Sequence, residues 1–235
     1  MFREQLQDRE EEIIRLLDFM PKGFILIGGY AVSALSSHRF SVDCDVVIAR
    51  KTSKRFRDML KAEGYIRRRS AKVDKEYGGA VEMYVKTIKV GRITVDLFLN
   101  SITGRETGAS WSYEHIRRNS IEAVLAGMRN SANVTVPTKE LLIAMKIHSG
   151  RDADIRDIVM LCENADWNSV TRHIARGDIK ILLNQLTKIL SKIESEEFLS
   201  SLRATFELRQ NIKPLISTCK RELSNLKETV KSTRS

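Results

Sequence analysis

Asp43 and Asp45 stand two residues apart in a stretch whose intervening positions, Val42, Cys44, Val46 and Ile48, are all apolar. Side chains two apart on a strand share a face. The pattern therefore predicts a strand over 42–49, with those four residues on one side and both carboxylates on the other. Two like charges on an otherwise apolar strand repel and resist burial, so they call for a counterion. A divalent metal meets that need. Hard carboxylate oxygens suit Mg²⁺, which binds through a few carboxylates plus substrate phosphates, and two such ions can clamp both sides of a phosphoryl displacement. Just upstream, residues 24–27 read as a buried strand. Gly28 and Gly29 follow as a turn whose backbone N–H groups can approach phosphates, and 30–37 is a short helix.

Gly28-Gly29, a helix, and then Arg39-x-Ser41-x-Asp43-x-Asp45 resembles the signature of the polymerase-β-type nucleotidyltransferase superfamily, most of all its AbiEii-type, toxin-related branch. The resemblance is specific over 24–49 and looser over 138–161. It implies a nucleoside triphosphate substrate, a two-metal Mg²⁺ site on Asp43 and Asp45, and a third carboxylate on a neighbouring strand. Asp96 has that setting, because Ile93, Val95, Leu97 and Leu99 share one strand face while Asp96 looks out from the other with Thr94 and Phe98. Asp96 is expected to ligate the second ion or to act as base toward the acceptor. Gly28, Gly29, Arg39 and Ser41 are the implied phosphate contacts. Tyr30, where many members place Ser, joins them as a nucleotide-binding position.

A second constellation lies at Lys146, Arg151, Asp154 and Asp157, which resembles the AbiEii-type order of Lys, Arg and two acids three apart. A lysine ending one helix and an arginine opening the next would both reach triphosphate oxygens. On that reading Lys146 is catalytic, Arg151 and Asp154 bind nucleotide, and replacing Lys146 harms turnover with little effect on stability. Asp154 and Asp157 share a face, and Ile155, Ile158, Val159 and Cys162 form the buried one. The same residues also suit a solvated helix face laced with i, i+3 pairs.

The elements that must position these groups are those of an α/β (α+β) chain. A helix over 3–19 stops at Pro21 and Gly23, and a second follows over 51–63. Strands then run through 65–69, 80–88 and 93–99, a polar loop over 101–111 lies near the site, and short strands occupy 121–136. Thr138 caps a helix, after which only helical patterns remain, broken near Gly150, 164–166, Gly177 and Pro214. The expected layout is a mixed nucleotidyltransferase-fold sheet with helices on one face over 1–137, and an all-helical domain over 138–235 closing the cleft.

The 235 residues hold 40 Lys and Arg against 30 Asp and Glu, a net charge of +10 that favours a polyanionic partner. Basic clusters at 51–61, 67–72, 117–118 and 220–221 point to RNA, and the toxin-like resemblance to tRNA 3′ ends and an antitoxin partner. The rivals are a small-molecule acceptor of aminoglycoside type, whose cationic drug a basic protein disfavours, and a catalytically silent RNA-binding relative. Three widely spaced cysteines, a charged N-terminus and no long apolar run lead us to expect a cytoplasmic protein without a membrane span.

Overall fold

The computed structural model describes residues 2–74, 76–104, 106–208 and 211–232. Their contacts divide the chain into two compact units, 1–103 with 111–137, and 104–110 with 138–235.

In the first unit α1 (Phe2–Phe19) buries Ile13, Ile14, Leu16 and Leu17 at helical spacing. Then come β1 (Phe24–Ile27), α2 (Gly28–Leu35), β2 (Asp43–Ile48), a short 3₁₀ turn and α3 (Ser53–Ala62). β3 (Ile66–Lys72), β4 (Ala80–Ile88) and β5 (Gly91–Leu99) complete a five-stranded sheet of order β1-β2-β5-β4-β3. Only β2 and β5 run parallel; the other neighbours are antiparallel, so the sheet is mixed as expected.

Alternation along the central strands gives the sheet two unlike faces. Cys44, Val46, Ile48, Val95, Leu97 and Leu99 are fully buried on one. α1 and α3 cover that face through charged contacts as well. Lys86 Nζ lies 2.6 Å from Glu12 Oε1, and Arg57 holds the buried Glu82 by two bonds of 3.0 and 2.6 Å. The other face carries the half-buried Thr94, Asp96, Phe98, Val81, Met83 and Val85, and toward β1 the fully buried Val47 and Ile25.

Three expectations change. Val42 lies ahead of β2 and is 56% exposed, so the strand starts at Asp43 itself. Gly28 and Gly29 are the first residues of α2, not a turn before it. The 101–111 segment is not one open loop: it contains the short paired strands β6 (Ser101–Thr103) and β7 (Ser110–Ser112). Ser112 then caps α4 (Tyr113–Arg118), accepting from the His115 backbone N–H at 3.2 Å. β8 (Ser120–Ala126) and β9 (Ser131–Pro137) form a hairpin, with β9 against β1 and α1.

Among the described residues, 138–235 of the second unit form only helices: α5 (Lys139–Ser149), α6 (Asp152–Leu161), α7 (Trp167–Ile174), α8 (Ile179–Lys192), α9 (Glu196–Phe206) and α10 (Lys213–Ser232). Thr138, Asp166, Asp178 and Ser195 cap four of them by accepting backbone N–H bonds, as these residue types do. Residues 104–110 are tied into this unit by His148. Its Nε2 donates to the Ile174 carbonyl at 3.0 Å, so its Nδ1 accepts from the Thr107 hydroxyl at 2.9 Å. Asp178 N–H donates to the Thr107 carbonyl at 2.7 Å.

Two measurements check this architecture. Leu97→Ala should lower unfolding free energy in urea by about 2–5 kcal/mol, the cost of a cavity in a packed face, while Thr94→Ala on the open face should change it by less than about 1 kcal/mol. The second concerns pH. Burial lowers the His148 imidazole from its ordinary 6.5 to about 4, with the Ile174 bond opposing and the Arg176 charge adding. Between those values the unfolded chain takes up a proton that the folded one refuses. Stability is therefore expected to drop as pH falls from 6.5 toward 4, by on the order of 3 kcal/mol, and His148→Gln should remove that part of the slope.

Candidate active site

β2 and β5 are parallel neighbours, and their register sets Asp45 directly across from Asp96 and Asp43 across from Thr94. Extending that row, Ile27 stands opposite Asp45, and Met83 opposite Asp96. Both carboxylates of the pair are half-buried on the open face, while Asp43, one pleat away, is exposed. All three act on the residue between them: burial first, then the charges of Asp45, Asp96 and Asp43, push the Cys44 thiol well above its usual range.

α2 brings backbone to the same place. Gly28 has φ +69°, and a Cβ built on it would overlap the Asp45 carboxylate, so glycine meets two demands at once, a left-handed dihedral and a close approach. At Gly29 a Cβ would stand 2.6 Å from Ser41 Oγ and 2.7 Å from an Arg39 guanidinium nitrogen. Arg39 and Ser41 therefore gather over the first turn of α2, whose N–H groups have no intrahelical acceptor. Ser33 holds the connecting segment, its hydroxyl donating to the Arg39 carbonyl at 3.1 Å and accepting from the Arg39 N–H at 3.2 Å. The structure thus brings together Gly28, Gly29, Arg39, Ser41, Asp43, Asp45 and Asp96.

Tyr30 does not present a hydroxyl to this cluster. It is 1% exposed and its OH donates to the Ser41 carbonyl at 3.1 Å, so it positions Ser41 from below.

Among the described residues no group of three or more His, Cys, Asp or Glu is set to hold a metal ion. Of the three expected carboxylates, Asp45 and Asp96 are direct neighbours and Asp43 stands one pleat along, opposite Thr94. Mg²⁺ asks less of a protein: one or two carboxylates, with water and substrate phosphate completing its shell. Neighbouring Asp45 and Asp96 fit that demand. A cleft of about 500 Å³ lies elsewhere, lined by Arg50, Ser70, Lys72, Asp74, Gly78 and Gly79. Lys72 pairs with Ala80 and Ala80 with Leu99, which puts this cleft at the end of the sheet away from Asp43 and outside the carboxylate row.

In the helical unit the second constellation proves to be an internal ion network. Lys146 is 6% exposed, and its Nζ lies 2.9 Å from Asp154 Oδ1 and 2.7 Å from Asp157 Oδ2, both acids being fully buried. Asp154 also accepts from the Ser149 hydroxyl at 2.6 Å, and from Arg151 through Nε at 2.7 Å and the backbone N–H at 3.2 Å. Burial alone would raise the Asp154 carboxyl; the Lys146 charge and the bonds from Arg151 and Ser149 outweigh it and hold the group well below its usual range. Lys146 as a catalytic group and Asp154 as a nucleotide contact are corrected accordingly, since their charges are turned on one another; the Arg151 side chain that joins them is 74% exposed. The buried face of α6 includes the two acids beside Ile155 and Ile158.

No family model and no curated protein matches the chain. Among solved structures it is similar to JHP933 from Helicobacter pylori at 15% identity, with 98% of this chain and 95% of that one covered and a TM-score of 0.46. It is similar to a candidate nucleotidyltransferase from H. pylori at 14% identity, covering 97% and 96%, with a TM-score of 0.46. The antibiotic-resistance factor ANT(2'')-Ia matches at 14% identity over 73% of this chain and 86% of that one, with a TM-score of 0.44. Likeness of this degree transfers no chemistry, and the site is read from its own residues.

The ion network predicts a stability effect where the sequence pattern predicts a catalytic one. Lys146→Ala leaves two buried carboxylates without their cation and should cost about 3–5 kcal/mol in urea unfolding. Lys139→Ala, at the start of the same helix, should stay within about 0.5 kcal/mol of the unaltered protein.

Proposed function

We propose that the chain is an Mg²⁺-dependent nucleotidyltransferase that moves a nucleoside monophosphate from a nucleoside triphosphate to a hydroxyl of RNA, with a tRNA 3′ end as the acceptor. The observation that carries this reading is the Asp45–Asp96 pair, in register on adjacent parallel strands, with Asp45 against the glycine start of α2. Like-charged neighbours on an open face suit a cation and the phosphates that travel with it.

Asp45 and Asp96 would hold the metal, which when bound supplies charge neutralisation at the transferring phosphate and lowers the pKa of a coordinated oxygen. The N–H groups opening α2 at Gly28 and Gly29 face the phosphates, with the Arg39 guanidinium and Ser41 hydroxyl beside them. The acceptor oxygen attacks the α-phosphorus as its proton passes to a carboxylate, Asp96 being the one toward the open middle of the sheet. The bond from the α-phosphorus to the bridging oxygen breaks, and pyrophosphate leaves with the electron pair. Preorganised charge and positioning lower the barrier; no covalent intermediate is required.

The net charge of +10 supports RNA over a cationic drug as acceptor. The Gly-Gly and Asp-x-Asp resemblance supports a toxin-like role, with an antitoxin protein as its partner.

Asp45→Asn and Asp96→Asn should each fold normally and lower transfer of an α-labelled nucleotide to total tRNA by more than about 100-fold, the scale of losing an electrostatic group that acts in the transition state. Circular dichroism and product gels read the two quantities separately. Wild-type transfer by either variant contradicts the reading.

A further inference from the structure

The carboxylate row does not end at Met83. β3 pairs with β4 through a shift between Arg67 and Arg69, so that Arg67 faces Tyr84, Arg69 faces Met83, and Arg68 is the extra residue. Cross-strand partners share a face. Arg67 therefore lies on the helix-covered side, where its Nη1 stands 3.7 Å from Glu82. Arg69 falls on the open side, in the row Ile27, Asp45, Asp96, Met83, Arg69. Between Asp96 and Arg69 the floor is apolar: Met83 in the row itself, with Val81 and Phe98 paired one pleat along, all half-buried.

From these positions we infer that the open face carries a binding platform for the terminal nucleotide of the acceptor RNA, with its base on Val81, Met83 and Phe98 and its phosphate on Arg69. The inference rests on the proposed transfer to RNA and says where that RNA lies. Two strand spacings, about 10 Å, separate the backbones at Asp96 and Arg69. That is room for one nucleotide unit, whose sugar hydroxyl then lies at the carboxylate and whose phosphate lies at the edge. Aromatic and apolar floors take any base by its face, and an arginine binds phosphate through a planar fork. Charge complementarity favours this occupant. β3 is an edge strand, exposed along nearly all its length, and among the described residues Arg68 and Arg69 have no ion-pair partner. An apolar ligand would not need arginines there, and a cationic one would be repelled by them.

The test compares Arg69→Ala with Arg68→Ala, both exposed and outside the catalytic machinery. Binding of a 3′-fluorescein-free, 5′-labelled 12-nucleotide single-stranded RNA is measured across a salt series, alongside binding of a nucleoside triphosphate with Mg²⁺. Arg69→Ala is expected to weaken RNA binding about tenfold or more, the order of one charge-assisted contact, and to reduce the slope of log K against log salt by about 0.7. Triphosphate binding should be unchanged, and Arg68→Ala should lose less than threefold in RNA affinity. Equal losses at the two positions, or none at Arg69, would overturn the platform while leaving transfer to RNA standing. Failure of the unaltered protein to bind the RNA or to label tRNA would overturn both.

Discussion

Two carboxylates in register on adjacent strands govern this molecule. Asp45 and Asp96 are direct cross-strand partners, about 5 Å apart by backbone spacing, and like charges placed directly opposite one another destabilise a sheet. A sheet tolerates that only if the rest of its packing is secure. The reverse face supplies the security, with Cys44, Val46, Val95 and Leu97 fully buried beneath the same two strands. One side of these strands thus carries neighbouring carboxylates and the other a close-packed apolar layer. The glycine start of α2 lies against the Asp45 carboxylate, and the Arg39 guanidinium lies against Gly29.

The helical unit handles charge in the opposite way. Lys146, Asp154 and Asp157 are as buried as the hydrophobic residues around them, and each is satisfied by the others or by Ser149 and Arg151. Such a network adds little net stability compared with an apolar core, but it is costly to break. It joins α5 to α6 through a single ammonium that reaches both carboxylates. The His148 bonds to Thr107 and Ile174 do the same for the 104–110 segment.

The fold class, a mixed sheet followed by helices, is legible in the sequence, and so are the faces of its central strands. Alternation in 42–49 and 93–99 is enough to put Asp43, Asp45 and Asp96 on one side, since a period of two leaves no other choice. The glycine pair is legible as a point of close approach, though not as the first turn of the helix. The arginine run at 67–69 is visible only as charge. Which arginine meets the open face depends on a β-bulge, and no local pattern encodes that pairing. Lys146 and Asp154 mislead for a related reason: i, i+3 acids look alike on a solvated face and around a buried lysine, and the partner that distinguishes the two lies on another helix. Tyr30 is assigned to the nucleotide from its position in the family signature, where many members place Ser, whereas its ring fills the core and its OH donates to the Ser41 carbonyl.

Phosphorus chemistry at the proposed Asp45 and Asp96 site would move the α-phosphoryl group with its nucleoside. The most direct measurement supplies Mg²⁺, tRNA and the same nucleoside triphosphate labelled in parallel at the α- or the γ-phosphate, and follows where each label goes. The account predicts that α-label enters the RNA at its 3′ end while γ-label leaves in pyrophosphate, one for one. Transfer of the γ-label to the acceptor, or release of both labels without any RNA product, would contradict it.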